Sequence, residues 1–447
     1  MPLKITNTLS RTKEIFVPID QDNIRMYVCG PTVYDYPHVG NARPLIVFDV
    51  LFRLLKKIFP KSKVTYVRNI TDIDDKIIEA SRKLNITTTE LTNKVLKDFH
   101  NDCDYLGCLK PTTEPKATDH LDEMINLITR LIDKGFAYQS SNHVYFAVSK
   151  FKEYGKLSNK NIKDLVSGSR VAISENKKEP GDFVLWKPSK ENEPSWDSPF
   201  GKGRPGWHLE CSAMSEKYLG KHFDFHGGGL DLIFPHHENE IAQSVCANDK
   251  KLSNYWLHNG YVTVEKQKMS KSLGNFVTIN ELKNNYNGQV IRLAMLSTHY
   301  TQPFDWNENI LENSRKNLEK WYEFYSDDVE SISDSNLKFL LDDLNTPLMI
   351  SNINDLYKKA KTGDSLSANQ LSSSCKILGL FNQNVKEWKN FKKIGKMSPE
   401  EIEKLILKRN EARAKKDFKT SDKIRDLLVS KGVLIKDKGD NTLWEYK

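Results

Sequence analysis

The stretch RMYVCGPTVYDYPHVGNARPLIVFDVLFRLLKKIFPKSKVTYVRNI, residues 25–70, decides the fold class of this chain. Within it, residues 25–28 are predicted to form a short strand, 44–58 an apolar helix with proline in its first turn, and 64–70 the next strand. A strand, a helix and a second strand in this order are the building block of a parallel sheet covered by helices. The sequence therefore predicts an α/β fold of the Rossmann type.

The loop between this first strand and the helix contains His38-Val39-Gly40-Asn41. Such sheets bind ligands at the carboxyl ends of their strands, and a helix start offers free N–H groups to phosphate. Gly40 would let a nucleotide base approach the backbone, and His38 and Asn41 would donate hydrogen bonds to phosphate oxygens. Taken alone, the string is equally typical of a histidine in an ordinary loop.

A second short string, Lys268-Met269-Ser270-Lys271-Ser272, places two ammonium groups three positions apart between small hydroxyl residues. Such a loop can fold over a polyphosphate, although two lysines alone also fit a solvated basic turn. The sequence contains neither G-x-x-x-x-G-K-[ST] nor G-x-G-x-x-G, which argues against a P-loop and against a dinucleotide site.

The remaining pattern predicts an interrupted sheet followed by helices. We expect helix and then a hairpin over 119–150, irregular chain over 151–207, and further strands at 221–226 and 255–264. Past Thr278 the pattern is helical to about Phe391. In the tail, Ser398-Pro399 starts one helix, Gly432 ends a second, and a short strand and Trp444 complete a small module.

Composition limits the function classes. The chain has 447 residues, of which 38% are hydrophobic, and this fits a soluble protein of two to four domains. Its net charge of +8 permits an anionic partner but does not require one. No signal peptide or membrane-length apolar run is present. Six cysteines are too few for a disulfide scaffold, so we expect a reducing cytoplasm.

Four residues form a candidate metal set: Cys29, Cys211, His236 and Glu240. His236 and Glu240 are four apart and would share one helix face. Two thiolates, an imidazole and a carboxylate suit zinc. From the spacing alone, two buried thiols and a polar helix are the more ordinary interpretation, because the four residues span more than 200 positions without a C-x-x-C.

Five blocks together resemble cysteinyl-tRNA synthetases, a family of class I aminoacyl-tRNA synthetases. The blocks are CGPTVYDYPHVGN, YVRNITDIDDKII, GRPGWHLECSAM, DFHGGGLDLIFPHHENEIAQS and KMSKSLGN, and they extend over about residues 25–280, with weaker likeness to the C-terminus. The resemblance implies that L-cysteine is activated with ATP and Mg²⁺ and transferred to the terminal adenosine of tRNA(Cys). The chain departs from the common pattern at Asn41, where histidine is often found.

The resemblance also implies roles for individual residues. It assigns catalysis to His38, Asn41, Lys268 and Lys271. It assigns ATP binding to these four and to Gly40, Ser270 and Asp231. It assigns the amino-acid pocket to Gly30, Thr71, Trp207 and His208, and one Zn²⁺ per chain to Cys29, Cys211, His236 and Glu240. It assigns tRNA contacts to Asp437, Trp444 and Arg409.

Some of these residues keep a simpler alternative. Thr71 could be the N-cap of the helix at DIDDKII, and Trp207 could be a core residue. Asp231 could bind the substrate ammonium or the ATP ribose, while the three preceding glycines could simply allow a tight turn. We expect His208, His226 and His237 to support the metal ligands or to contact the adenylate.

The resemblance implies a modular chain that acts as a monomer. A Rossmann-type catalytic domain (1–118 and 208–255) is interrupted by a connective insertion (119–207). A stem-contact region with the lysine loop (256–318), a helical bundle (319–395) and an anticodon-binding module (396–447) follow. Two alternatives are a cysteine ligase that acylates an amino sugar and a relative that only binds RNA. The basic tail argues against the first, and the intact catalytic strings argue against the second.

Overall fold

The computed structural model describes residues 1–160, 176–269, 275–329, 331–394, 399–415, 417–438 and 441–446 of the chain. Ser270 and Lys271 of the lysine string lie outside the described residues. The chain divides into two compact units, one formed by 1–282 with 288–382 and the other by 283–287 with 383–447. Among the described residues, no helix has both the length and the apolar character needed to cross a membrane.

The first unit contains several sheets and the helices that cover them. Its strands are β1 (Lys4–Asn7), β2 (Thr12–Ile15), β3 (Asn23–Val28), β4 (Lys63–Arg68), β5 (Ala137–Ser140), β6 (His143–Phe146), β7 (Phe183–Pro188), β8 (Gly203–Pro205), β9 (Phe223–Gly229), β10 (Ser253–Asn259), β11 (Val262–Val264), β12 (Gln267–Lys268) and β13 (Phe304–Trp306). Its helices are α1 (Val39–Ile58), α2 (Asp75–Leu84), α3 (Thr88–Tyr105), α4 (Leu121–Asp133), α5 (Trp207–Leu219), α6 (Glu238–Asn248), α7 (Ile279–Leu282), α8 (Gly288–Leu296), α9 (Glu308–Trp321), α10 (Asp334–Leu341), α11 (Thr346–Lys361) and α12 (Ser365–Ile377).

The central sheet has the order β10-β9-β3-β4, and all its neighbouring strands are parallel. Met26 of β3 lies opposite Phe225 of β9 on one side and Tyr66 of β4 on the other. The three side chains are almost fully buried, as expected for a parallel sheet with both faces covered. The predicted α/β fold is therefore confirmed, and its carboxyl edge lies after Val28, Arg68, Gly229 and Asn259.

Helix α1 begins five residues earlier than the proline suggested. His38 is its N-cap in extended conformation, and Asn41 at the third helical position completes a capping box. Pro44 consequently lies inside the helix and not in its first turn, so the predicted start at residue 44 is wrong. Histidine is uncommon at an N-cap, and a capping box is usually recognised by Ser or Thr followed by Glu.

The segment expected to be irregular contains two strands. β7 and β8 complete a four-stranded antiparallel sheet of order β5-β6-β7-β8, in which Trp186 is fully buried. The prediction for 151–207 is therefore wrong over these two strands. The predicted hairpin before them is present as β5 and β6, joined through Ser141 and Asn142 at positive φ.

The predicted strand at 255–264 is two strands with different partners. β10 stays in the central sheet, whereas β11 pairs parallel with β13 and antiparallel with β12. The chain changes direction at Gly260, whose N–H donates to the carbonyl of Tyr300 at 2.8 Å. This small sheet positions Lys268, the last residue of β12 and the first of the lysine string.

The second unit consists of α13 (Val385–Ile394), α14 (Pro399–Ala414), α15 (Phe418–Ser430), β14 (Val433–Lys438) and β15 (Asn441–Tyr446). The two strands form an antiparallel hairpin. Ile402, Ile406, Leu428 and Val433 form its buried core, and Trp444 packs against that core. The two helices and the strand expected in the tail are thus present.

Candidate active site

Cys29 lies at the centre of a cluster of metal-binding groups at the carboxyl edge of the central sheet. It follows β3 directly, and its Sγ is 3.6 Å from Sγ of Cys211. The same sulfur is 3.4 Å from Nε2 of His236 and 3.4 Å from Oε1 of Glu240. One ligand atom from each of these four residues lies within 4.8 Å of the others, so the structure brings the predicted metal set together.

Helices α5 and α6 present the other three groups. Cys211 is on the second turn of α5. His236 lies two residues before the start of α6, and Glu240 follows one helical turn later. The i,i+4 spacing places Nε2 of His236 2.9 Å from Oε1 of Glu240. Cys211, His236 and Glu240 are all buried.

A shell of hydrogen bonds orients these groups. Nδ1 of His208 is 2.9 Å from Nδ1 of His236, and Nε2 of His226 is 2.8 Å from Oε2 of Glu240. The indole of Trp207 stacks on the His236 ring with centroids 4.4 Å apart. Metal-bound histidines and carboxylates are commonly held in this way by outer partners.

The charges of the cluster favour a bound cation. Burial opposes the ionised form of Glu240, but His226 and His236 hold its pKa well below the usual value. Burial also opposes ionisation of Cys211, yet the hydrogen bond from Cys29 and the nearby His236 lower its pKa to about 6. Burial, together with Cys211 and Glu240, raises the pKa of the Cys29 thiol. Burial opposes protonation of His236, but Glu240 and Cys211 raise its pKa to about 10, so protons balance the charges of the cluster. A metal ion would take the place of these protons, because its ligands bind in their deprotonated forms.

A second set of ligands shares two members with the first. Cys29 and Glu240 also form a group with His226 and His237, and Nε2 of His237 is 3.3 Å from Sγ of Cys29. Nδ1 of His237 is in turn 2.7 Å from Nε2 of His258. The sequence analysis did not identify His258. Its position near the carboxyl end of β10, where such sheets bind ligands, is the signal that could have pointed to it.

The predicted amino-acid pocket contains two residues whose polar groups are already engaged. The N–H of Gly30 donates to Oδ1 of Asn69 at 2.9 Å. Oγ1 of Thr71, a buried residue, donates to Oε2 of Glu210 at 2.8 Å. Thr71 is not a helix cap, because Asp74 caps α2. Asn69 and Glu210 are buried polar residues of this site that the sequence analysis missed.

Trp207 is at the first position of α5 and is 38% exposed, so the alternative of a core tryptophan is wrong. The three glycines lie in strand β9 and not in a turn. A Cβ at Gly227 would stand 2.3 Å from the ring of Phe48, and one at Gly229 would stand 2.3 Å from Oδ1 of Asp231. The glycines therefore permit close packing, and Asp231 is exposed just beyond the sheet edge.

The string His38-Val39-Gly40-Asn41 forms the amino end of α1. Nδ1 of His38 accepts a 3.0 Å hydrogen bond from the N–H of Gly40, so the proton of the neutral imidazole is on Nε2. Oδ1 of Asn41 accepts a 3.0 Å hydrogen bond from the N–H of His38, which assigns its amide nitrogen the donor role. Each side chain thus keeps a nitrogen donor, Nε2 of His38 and Nδ2 of Asn41, at the end of the helix that favours anions.

The structure places the start of the lysine string against this helix end. The methyl of Met269 would be 3.3 Å from a Cβ on Gly40. The N–H of Val39 donates to the carbonyl of Val277 at 3.0 Å, and the rings of His38 and Phe276 meet edge to face at 5.0 Å. The described start of the lysine string, more than 200 residues from His38 in sequence, therefore lies beside the amino end of α1. Ser270 and Lys271 are outside the described residues.

In the second unit, two residues predicted to contact tRNA bind each other. The guanidinium of Arg409 donates to both carboxylate oxygens of Asp437 at 2.8 and 2.9 Å, and Arg413 adds a third bond at 2.8 Å. Nε1 of Trp444 donates to Oε1 of Glu403 at 2.7 Å. These hydrogen bonds join residues within the second unit. Contact of Arg409, Asp437 and Trp444 with tRNA stays a prediction.

Comparison with known families identifies both ends of the chain. A model of the class I (C) tRNA synthetase catalytic domain matches residues 15–316, and a model of the cysteinyl-tRNA ligase anticodon binding domain matches residues 398–444. The methionyl-tRNA synthetase of Mycobacterium tuberculosis in complex with methionyl-adenylate has a similar fold, with TM-score 0.56 and 13% identity over 85% of this chain and 95% of that one.

Full-length relatives agree with the family models. The cysteine–tRNA ligase of Pelagibacter ubique is 54% identical over 447 residues, which cover 99% of each chain. The cysteine–tRNA ligase of Afipia carboxidovorans is 50% identical over 100% of this chain and 99% of its own. That of Rickettsia felis is 49% identical over 98% of each chain. This chain therefore belongs to the cysteine–tRNA ligase family of class I aminoacyl-tRNA synthetases.

Proposed function

We propose that this chain joins cysteine to tRNA(Cys) in two steps, first forming cysteinyl-adenylate and pyrophosphate from cysteine and ATP. The observation that carries the proposal is the combination of three features within one compact unit. The thiol-rich cluster around Cys29, the capped helix end at His38 and the strand that ends at Lys268 all belong to the first unit. They supply a sulfur-selective pocket beside an anion-binding helix end.

We propose Zn²⁺ as the metal of this site, one ion per chain, held by Cys29, Cys211, His236 and Glu240. Two sulfurs, one imidazole nitrogen and one carboxylate oxygen are a donor set that zinc accepts. When bound, zinc supplies a soft Lewis acid that binds the substrate sulfur as thiolate and has little affinity for the hydroxyl of serine. A pocket selecting by size alone would separate the two by only ~10- to 200-fold.

The chain's own residues would then act on ATP through charge and position. The carboxylate of cysteine is ionised at neutral pH and needs no general base before it attacks the α-phosphorus. His38 and Asn41 would donate to phosphate oxygens, and Lys268, Ser270 and Lys271 would hold the departing pyrophosphate together with Mg²⁺. Gly40 would leave room for the base of the nucleotide.

The amino-acid pocket would be arranged by the buried contacts described above. Trp207 and His208 would form a wall and hold the His236 ring, while Gly30 and Thr71 would shape the opposite side. The exposed carboxylate of Asp231 would bind the substrate ammonium or the ATP ribose. The hydrogen bonds of Gly30, Thr71 and His208 within the protein support a pocket-shaping role for these three residues.

We further propose that the module at 396–447 binds the anticodon, that 256–318 contacts the acceptor stem, and that the chain acts as a cytoplasmic monomer. The anticodon-domain match over 398–444 supports the first point. All six cysteines lie among the described residues and are free thiols, which fits a reducing compartment. Trp444 and the arginines of helix α14 would be near unstacked bases.

The deciding experiment is cysteine-dependent exchange of labelled pyrophosphate into ATP, with serine as the control, followed by charging of unfractionated tRNA. We expect exchange with cysteine only, and charging. Exchange without charging would instead indicate a cysteine ligase that uses another acceptor. A purified, metal-replete protein that shows no exchange would contradict adenylate formation itself.

A further inference from the structure

Arg43 is a fully buried cation of α1, five residues after His38. Its Nη1 donates to the carbonyls of Gly260 at 2.9 Å and Tyr261 at 3.0 Å, and its Nη2 donates to the carbonyl of His299 at 3.1 Å. Within the described part of the chain, no carboxylate forms an ion pair with it. The side chain therefore uses its charge on three backbone carbonyls.

This arrangement differs from that of a typical buried arginine. Arg292, equally buried in the same unit, contacts the carboxylate of Asp49 in addition to backbone carbonyls. A buried cation without an acid costs stability, and burial lowers the pKa of Arg43 to about 10. An apolar residue of similar length would fill the space at a lower cost in folding free energy. We therefore take the three hydrogen bonds to fix the position of the chain segments whose carbonyls they bind.

Two of the carbonyls that Arg43 binds lie where the chain leaves the central sheet. Gly260 and Tyr261 lie between β10 and β11. The carbonyl of Tyr261 also accepts from the N–H of Phe304 at 2.9 Å, where β11 begins to pair with β13. A Cβ at Gly260 would be 2.3 Å from the carbonyl oxygen of Gln302. Arg43 thus joins α1 to a tightly packed crossing of two segments.

The connection from this crossing to the lysine string is short. Thr263 is two residues beyond Tyr261, roughly 7 Å along a strand. Thr263 pairs directly with Lys268 across the antiparallel β11–β12 ladder. A continuous series of contacts therefore leads from His38 along the first turns of α1 to Arg43, through the carbonyl of Tyr261, and across β11 to Lys268.

We propose that Arg43 is a positioning residue for adenylate formation, which sets the distance between the helix end at His38 and the strand that ends at Lys268. It touches neither ATP nor cysteine and acts through the β10–β11 junction. The inference rests on the proposed function, because it concerns the alignment of the two phosphate-binding strings. Lysine keeps the charge at this position, but its single nitrogen cannot replace both Nη1 and Nη2 of the planar guanidinium, which bind carbonyls of two separate segments.

The test compares Arg43→Lys with Arg53→Lys in cysteine-dependent pyrophosphate exchange, with rates divided by the active fraction from a single-turnover adenylate burst. Arg53 is the matched control, since it lies on the same helix and also donates to a backbone carbonyl, that of Gly107 at 2.8 Å. For Arg43→Lys we expect kcat to fall roughly 10- to 100-fold, as for a misaligned reacting geometry. The KM for cysteine should change by less than about twofold, since the thiol pocket is built elsewhere. Arg53→Lys should keep both values.

If Arg43→Lys does not fold, Arg43→Gln replaces it, since this variant leaves no unpaired charge in the interior. An active-fraction-corrected kcat within twofold of wild type, or an equal loss in Arg53→Lys, would overturn the positioning role. A rise in the KM for cysteine matching the fall in kcat would also overturn it. Absence of exchange in the wild-type protein would instead refute the proposed function, so the two failures are distinguishable.

Discussion

The N–H of Gly40 donates to Nδ1 of His38, and a Cβ added to Gly40 would stand 2.8 Å from both Nδ1 and Cε1 of that imidazole. The glycine therefore both fixes the tautomer of His38 and leaves room for its ring. Because Gly40 is in the first turn of α1, a change there affects the helix and the imidazole in opposite directions.

Gly40→Ala should lower activity without lowering stability. Alanine favours a helix over glycine by about 1 kcal/mol, while its methyl would push the His38 ring away from the nucleotide. We expect pyrophosphate exchange to fall by about 100-fold, the loss typical of one displaced transition-state donor. The thermal midpoint should change little, because the helix gain from alanine and the loss of the N-cap hydrogen bond to His38 are of similar size.

His38→Asn is the partner variant, because asparagine keeps a strong N-cap and removes the imidazole. If Gly40 acts through His38, the two single variants should be equally impaired and the double variant no worse than either. Full additivity in the double variant, or wild-type exchange in Gly40→Ala, would show that the imidazole position is unimportant.

Asn41→Asp separates the two halves of the asparagine amide. The carboxylate keeps the acceptor that Asn41 offers to the N–H of His38, but it replaces the donor with a negative charge facing the phosphates. Two like charges 4 Å apart repel by about 4 kcal/mol at a protein surface. We expect at least a 100-fold fall in exchange at unchanged helix stability.

Asn41→His is the control for that change, since histidine supplies a donor of similar reach. It should retain exchange within about tenfold of wild type. Kinetics at several ATP concentrations would distinguish the variants. An Asn41→Asp protein as active as wild type would remove Asn41 from the set of phosphate donors.

Lys271→Ala tests whether the lysine string is catalytic or only a basic turn. We expect adenylate formation in single-turnover assays to fall by about 100-fold or more, because the developing charge on pyrophosphate loses a cation. The control is Lys266→Asn, a lysine in the same segment whose φ of 62° asparagine tolerates. Equal losses in both variants would indicate a general effect of local charge.

Local patterns predicted the parts of this fold that depend on neighbours in sequence. The strand before Cys29 and the helix after His38 follow from apolar periodicity over a few residues. β7 and β8 escaped detection because each is short and carries proline or glycine, so their pairing depends on partners that lie far away in sequence.

The site was harder to predict, because its residues come together from distant parts of the sequence. Nothing local in the sequence brings Cys211 to Cys29, and only the family resemblance suggested it. Asn69 and Glu210 escaped because a buried amide and a buried acid look like surface residues in a sequence. Arg43 escaped because its partners are backbone carbonyls, which carry no side-chain signature at all.

Adjacent histidines distinguish the two possible metal sets. His236→Ala should lose zinc from the set containing Cys211, whereas His237→Ala should retain about one zinc per chain, since a lost ligand costs more than a lost outer partner. Elemental analysis after dialysis against a weak chelator measures both. Loss of zinc in His237→Ala with retention in His236→Ala would assign the ion to the set containing His226.

The Asp437–Arg409 pair should stabilise the C-terminal hairpin in a pH-dependent manner. Hydrogen bonds from Arg409 hold the pKa of Asp437 well below its usual range. A carboxylate with a lowered folded pKa adds stability above the unfolded pKa of about 3.9, and this contribution decreases as the pH falls from there toward the folded pKa. Asp437→Asn should therefore reduce hydrogen-exchange protection of β14 and β15 at pH 7, with a smaller difference from wild type in strong acid.

Asp426→Asn is the control for this prediction, because Asp426 is exposed and its contacts with Arg425 are 3.4 Å long. The Asp426→Asn variant should keep the hydrogen-exchange protection of β14 and β15 at every pH. Pyrophosphate exchange should be normal in both variants, since the residues of the proposed adenylate site all belong to the first unit. Charging of tRNA should fall in Asp437→Asn together with hairpin protection. A loss of charging with full protection would instead assign Asp437 to direct contact with the RNA.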